Sequence, residues 1–123
     1  MAHSHEFLKL VDQSREKIKE CTTDDVMQKL QAGEKFHFVD CREDDEWRQG
    51  RAKGAIHIGR GVLERDIEEE IPNKADQIIL YCGGGFRSAL AAESIQKMGY
   101  TNVISMDGGI REWKQKGYPI TQD

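Results

Sequence analysis

The chain predicts an α/β domain with a mainly parallel sheet covered by helices on both faces. Three observations carry that prediction. Short apolar and β-branched runs alternate with amphipathic stretches of helical spacing along the 123 residues, the pattern of strands joined by crossover helices. The run Ile78-Ile79-Leu80-Tyr81 is apolar at every position, as suits a strand buried on both faces. The length allows one layered core and not two.

The elements follow in order. From His5 to about Glu16, Phe7, Leu8 and Val11 with charges between them make a short amphipathic helix. Ile18 to Cys21 reads as a short edge strand. Thr22-Thr23-Asp24-Asp25 supplies hydroxyl caps and acidic first-turn residues for a helix with Val26, Met27 and Leu30 as its buried stripe and Gly33 as its stop. Phe36-His37-Phe38-Val39-Asp40 is rich in strand formers. Glu43 to Gln49 makes a helical turn or two around Trp47, ended by Gly50, and Ala55 to Ile58 is another short strand. Val62 to Glu70 is a charged helix closed by Ile71-Pro72, since a residue before proline avoids the helical region. After strand 78–81 comes a helix from Ser88 to Met98, with Ala89, Leu90, Ala92 and Ile95 for packing and Gly99 as its stop. Val103 to Met106 is the last strand, and Asp107-Gly108-Gly109 turns the chain into a final helix around Ile110, Trp113 and Lys114.

Composition narrows the function. A net charge of −4 provides no basic face for nucleic acid. No apolar stretch approaches the length of a membrane span, and Met1-Ala2-His3-Ser4-His5-Glu6 lacks the basic region and apolar core of a secretory signal. A cytoplasmic protein with neither nucleic-acid nor membrane partners is expected. Cysteines at 21, 41 and 82 form neither an even disulfide framework nor a C-x-x-C metal pair. His3 and His5 read as solvated terminal residues, and His37 and His57 as strand residues held by hydrogen bonds. No metal and no other cofactor is predicted.

The chemistry concentrates at Cys82-Gly83-Gly84-Gly85-Phe86-Arg87-Ser88, between the buried strand and the alanine-rich helix. The glycines can take positive φ and leave the approach unobstructed. Successive N–H groups of Gly83 to Ser88 can curl into a nest for an anion, and the helix start and Arg87 add positive potential. Each effect favours Cys82 as thiolate. The competing reading is a tight turn with a buried cysteine. In parallel sheets ligands bind beyond the carboxyl ends of the strands. Cys82 lies at one such end, Asp40, Cys41 and Arg42 at another, and Asp107 at a third.

Taken together these segments resemble the single-domain rhodanese family of sulfurtransferases. Asp40-Cys41-Arg42 through Glu46 resembles the family's D-x-R-x-x-x-E, and Gly54-Ala55-Ile56-His57-Ile58 its G-A-hydrophobic-His/Asn-hydrophobic segment. Cys82 to Arg87 resembles its C-x-x-x-x-R active-site loop, and Asp107-Gly108-Gly109 with Trp113 and Gly117-Tyr118-Pro119 its ending. Arg51 and Lys53 depart from the usual G-H-I-P-G at Gly50 to Gly54. The resemblance implies a rhodanese-like three-layer α/β/α fold with a five-stranded sheet over residues 18–123, preceded by a helical extension, residues 1–17.

It also implies a sulfur-transfer cycle, in which Cys82 takes sulfur from a small donor such as thiosulfate, becomes a persulfide, and passes the sulfur to cyanide, a thiol or a protein acceptor. Gly83, Gly84, Gly85, Phe86 and Ser88 would form the persulfide-binding loop, with Phe86 as an apolar wall. Arg87 would bond to acidic residues and brace it, and Asp40 and Arg42 would stand beside it as supports. The plainer reading of that pair is a strand-end cap and a solvated arginine. Arg60, on the turn Gly59-Arg60-Gly61, is a candidate anion contact. Cys41 should point opposite Asp40 and Arg42, which favours buried packing over a resolving role. Two rivals stand beside sulfur transfer. One is a persulfide carrier or regulatory module without turnover. The other is a cysteine phosphatase, whose C-x-x-x-x-x-R loop has five intervening residues where this one has four.

Overall fold

The computed structural model describes residues 3–123, so the first two residues of the expected 1–17 extension lie outside them. In chain order the elements are α1 (His5–Arg15), β1 (Lys19–Cys21), α2 (Thr23–Gln31), β2 (His37–Asp40), α3 (Asp44–Gln49), β3 (Arg51–Ala52), β4 (Ile56–His57), α4 (Leu63–Glu70), β5 (Ile78–Tyr81), α5 (Phe86–Gln96), β6 (Val103–Met106), α6 (Gly109–Gln115) and β7 (Ile120–Thr121). A 3-10 turn at Arg60–Val62 leads into α4. Local chemistry sets several boundaries. Thr22 caps α2 in a reciprocal box: its Oγ1 accepts from Asp25 N–H at 3.0 Å, and its own N–H donates to Asp25 Oδ2 at 2.9 Å. The α5 helix begins two residues earlier than the sequence suggests, because Gly85 takes a left-handed φ of 101° and serves as its N-cap.

Five parallel strands form the main sheet in the order β1-β6-β5-β2-β4. Register places Leu80 between Val39 and Ser105, so β5 is central and all its residues are buried. Alternation along the strands divides the core. Val39, Cys41, Ile78, Leu80 and Cys82 pack against Leu63 and Ile67 of α4 and Ala91, Ala92 and Ile95 of α5. Phe38, Ile79 and Tyr81 face Val26 of α2 and Ile110 and Trp113 of α6 on the other side. The result is the three-layer α/β/α arrangement the sequence implies. Each fully buried Leu or Ile contributes about 1.5–3 kcal/mol.

A second, antiparallel pair, β3 with β7, was not foreseen. It is tied to the core by Ala52 N–H donating to Tyr81 OH at 3.0 Å and by Trp113 Nε1–H donating to Pro119 O at 2.8 Å. The α1 helix lies against α5, with Val11 buried and Ser14 Oγ donating to Glu93 Oε1 at 2.8 Å. Among the described residues no helix is long and apolar enough to cross a membrane.

Candidate active site

The central strand β5 delivers Cys82 to the carboxyl edge of the sheet, where the chain must leave the sheet and start α5 within a few residues. Gly85, with a φ of 101°, makes that reversal possible, and its N–H and that of Ser88 point at the sulfur. Sγ of Cys82 accepts from Gly85 N–H at 3.2 Å and from Ser88 N–H at 3.3 Å. It lies 3.6 Å from Ser88 Oγ, which pairs with Ser105 Oγ at 2.8 Å. Among the described residues nothing accepts from the N–H groups of Gly84, Phe86 or Arg87, the last two being first-turn donors of α5 with no intrahelical acceptor. A cavity of about 180 Å³ opens onto Cys82, lined by Gly83, Gly84, Phe86, Arg87 and Arg111, with His3 and Phe7 from the start of the chain.

The loop's other side is held by α6. Ile110 N–H donates to Cys82 O at 2.9 Å and Arg111 N–H to Gly83 O at 3.1 Å. This approach is so close that a Cβ on Gly109 would stand 2.5 Å from Cys82 O and 2.6 Å from Gly83 O. Sequence reading took Asp107-Gly108-Gly109 as a turn and a family signature. Its bracing of the cysteine loop was missed, because it depends on how α6 docks after a non-local strand pairing.

Arg87 forms a bidentate pair with Glu46 of α3, at 2.8 and 3.1 Å. These bonds hold the Glu46 carboxyl below its ordinary range, against burial that pushes it up, and raise Arg87 in turn. Asp40 and Arg42 differ from expectation. They bind each other, Arg42 Nε donating to both Asp40 oxygens at 3.1 Å and Nη2 to Oδ2 at 2.8 Å. Arg42 Nη2 also donates to Gly50 O at 2.7 Å. Among the described residues neither side chain bonds to loop residues 83–88. The charge pair is buried within the fold, with Asp40 at 0% and Arg42 at 4% exposure, where each charge needs the other. Its link to the loop is indirect, fixing the end of α3, which carries Glu46.

Arg60 is a second correction. It pairs with Glu64 at 2.8 Å and donates to Ser94 Oγ at 3.2 Å, away from the Cys82 cavity. Glu64, one helical turn onward, is the nearer anion. Arg111 occupies the cavity wall instead, a place that nothing in the sequence beyond a charge in the last helix announces. Phe86 does line the cavity, its ring edge-on to His3 at 4.7 Å and under the Arg15 guanidinium at 5.1 Å. Cys41 is fully buried, its Sγ 3.3 Å from Tyr81 O, and burial pushes its thiol well up. Burial likewise pushes Cys21 up to about 12. His37 and His57 have hydrogen-bond partners, Asp76 at 2.9 Å and Arg42 O at 2.8 Å. Among the described residues no cluster of three or more histidine, cysteine or carboxylate side chains is placed to ligate a metal.

The fold and the loop define a class: three-layer α/β domains that present a cysteine on a cradle of backbone amides at the carboxyl edge of a parallel sheet. A model of the rhodanese-like domain matches residues 22–116. The chain belongs to the rhodanese-like domain family. A putative sulfur carrier protein of Bacillus subtilis (strain 168) is 32% identical over 99 residues, 80% of this chain and 52% of that protein, so the chain spans about half that relative's length. A thiosulfate sulfurtransferase of Escherichia coli (strain K12) is 33% identical over 76 residues, 62% of this chain and 72% of that protein. Among solved structures, a Rhodopseudomonas palustris CGA009 protein, described as of unknown function and a possible tyrosine phosphatase, matches with a TM-score of 0.82 at 29% identity over 98% of each chain.

Proposed function

We propose that this protein is a sulfurtransferase working through a persulfide on Cys82. The observation that supports it best is the set of loop amides: two donate to Sγ, and three more on the same loop, among the described residues, have no acceptor. In the first half-reaction the Cys82 thiolate attacks the outer sulfur of thiosulfate. The S–S bond to the sulfonate sulfur breaks, its electron pair leaves with sulfite, and Cys82 keeps one extra sulfur as Cys-S-S⁻. In the second, cyanide or a thiolate attacks that outer sulfur, releasing thiocyanate or a new persulfide and restoring the Cys82 thiolate. The developing charge sits on a terminal sulfur among the N–H groups of Gly84, Gly85, Phe86, Arg87 and Ser88. Such preorganised donors are each worth roughly 2–4 kcal/mol in comparable anion holes. In this reading Arg87 and Glu46 brace the loop, Asp40 and Arg42 hold α3, and Phe86 walls the sulfur. Residues 18–123 then form the transferase domain and residues 1–17 an extension, of which His3 and Phe7 line the cavity.

Phosphate chemistry fits less well. A phosphatase needs its arginine free for the phosphoryl oxygens, whereas both ends of the Arg87 guanidinium are bound to Glu46. The test is incubation with thiosulfate and mass analysis, followed by cyanide. One added sulfur on Cys82, its absence in Cys82→Ser, and thiocyanate on adding cyanide are expected. Loading without discharge to cyanide or a thiol would make the protein a carrier, not a transferase. Sulfur on Cys21 or Cys41 only, or phosphate release from an aryl phosphate without thiocyanate, would overturn the assignment.

A further inference from the structure

The cations around the cysteine loop are not equivalent. Arg87 is neutralised by Glu46, and Arg15 by Glu20 and Asp107. Arg111 lines the same cavity, and among the described residues its guanidinium has no hydrogen-bond or ion-pair partner. The carboxylates nearest along the chain are engaged elsewhere, Glu112 with Lys116 at 2.8 Å and Asp107 with Arg15 at 3.3 Å. Its position over the loop is close. A Cβ placed on Gly84 would lie 3.1 Å from Arg111 Nη1, and one on Gly83 3.8 Å from Nη2. The two glycines therefore leave room for this guanidinium beside the entrance to Cys82.

We propose that Arg111 is the residue that receives the anionic head of the sulfur donor, making the site selective for donors with a sulfonate-type group next to the transferable sulfur. The inference rests on the sulfurtransferase reading and deepens it. Thiosulfate brings two negative charges toward a thiolate, so the first half-reaction opposes like charges at short range. An unpaired guanidinium offsets that repulsion and offers two parallel N–H donors to the oxygens of the sulfonate, a geometry that arginine matches and lysine does not. When sulfite leaves, those contacts leave with it. Arg111 thus acts on donor binding and not on discharge of the persulfide to a dithiol such as dithiothreitol, whose attacking thiolate carries no sulfonate head for the guanidinium to hold.

The role of Arg111 is separable from its place in α6. Its backbone N–H holds Gly83 O, and a side-chain change leaves that bond in place. The first measurement needs no turnover: alkylation of Cys82 by iodoacetate, an anion, against iodoacetamide, its neutral analogue. Arg111→Gln is expected to lower the iodoacetate-to-iodoacetamide rate ratio by about fivefold. Arg65→Gln, which removes an exposed charge on α4 paired with Asp66, leaves the ratio unchanged.

The second measurement is steady-state kinetics with thiosulfate. Arg111→Gln is expected to raise KM for thiosulfate about tenfold, with kcat and the discharge of preloaded persulfide by dithiothreitol changed less than twofold. Arg111→Lys should recover part of the loss. An unchanged alkylation ratio refutes the inference outright, and so does a lowered ratio with an unaltered KM. If the native protein takes no sulfur from thiosulfate, the sulfurtransferase reading fails. The alkylation ratio then still decides whether Arg111 receives anions at this thiol.

Discussion

Replacing Gly109 by alanine should damage both stability and the cysteine loop, and by an amount the structure allows to be worked out. Its φ is +57°, where a non-glycine residue costs about 1–2 kcal/mol. The new Cβ would stand 2.5 Å from Cys82 O and 2.6 Å from Gly83 O, against ordinary contact from 3.4 Å. Relief requires the loop or α6 to retreat by about 0.9 Å, which lengthens or breaks the bonds from Ile110 and Arg111 N–H to those carbonyls. Each lost bond costs about 1 kcal/mol. The expected total is about 3–4 kcal/mol, or a fall in Tm of about 10 °C or more for a domain of this size. Displacement of the sulfur by that distance should slow persulfide formation about 100-fold. Gly117→Ala is the matched control. It has a φ of +72° and nothing within 4 Å of the new Cβ, so it carries the backbone cost alone, about 1–2 kcal/mol. Thermal melts followed by circular dichroism and rates of Cys82 loading from thiosulfate measure both. Equal Tm and equal loading rates for the two variants would refute the close-docking explanation.

Two further outcomes follow from the charge pairs. Glu46 is held below its ordinary carboxylate range by the Arg87 hydrogen bonds, so its contribution is present above the unfolded value near 4.5 and is lost as pH falls through the lowered folded value. Glu46→Gln should therefore lower Tm at pH 7, with the loss shrinking as pH falls below the unfolded value near 4.5; an equal loss at all pH values would show that the pair's charge does not matter. Arg42→Ala strands the Asp40 carboxylate, which is 0% exposed, and should cost about 3–5 kcal/mol by urea unfolding. Changing Asp40 and Arg42 together to alanine should cost less than Arg42→Ala alone, and a larger, additive loss would show that the two act independently.

Strands whose residues carry the signal in their own composition were legible. Ile78–Tyr81 and Val103–Met106 have the boundaries the sequence suggests, and β1, β2 and β4 are each trimmed at one or both ends. The unforeseen pair β3–β7 has two residues per strand, Arg51-Ala52 and Ile120-Thr121, and is made by pairing across the chain. No local pattern announces it. The same divide applies at the cavity. Cys82 and its glycines are contiguous, so spacing exposes them. Arg111, Phe7 and His3 come from α6 and the chain's start, and only docking brings them to the sulfur. Arg60 turns toward Glu64 and Arg42 toward Asp40 for a related reason: sequence shows that a charge exists, whereas the nearest opposite charge decides where it points.

The parallel ladder also governs the order of events when the chain folds. Lys19 pairs with Ile104 and Val39 with Leu80, so each pairing must close a long loop before it gains anything, and such topologies fold slowly. The edge strand β1, near the start of the chain, has β6 as its one neighbour in the sheet among the described residues. It therefore waits for nearly the whole polypeptide. The cysteine loop waits longer still, since α6 follows β6 and supplies the N–H groups that seat Cys82 and Gly83. Until then the carbonyls of Cys82 and Gly83 lack the two donors that hold the loop in place. The seating of Cys82 is thus completed late, as a property of the finished fold.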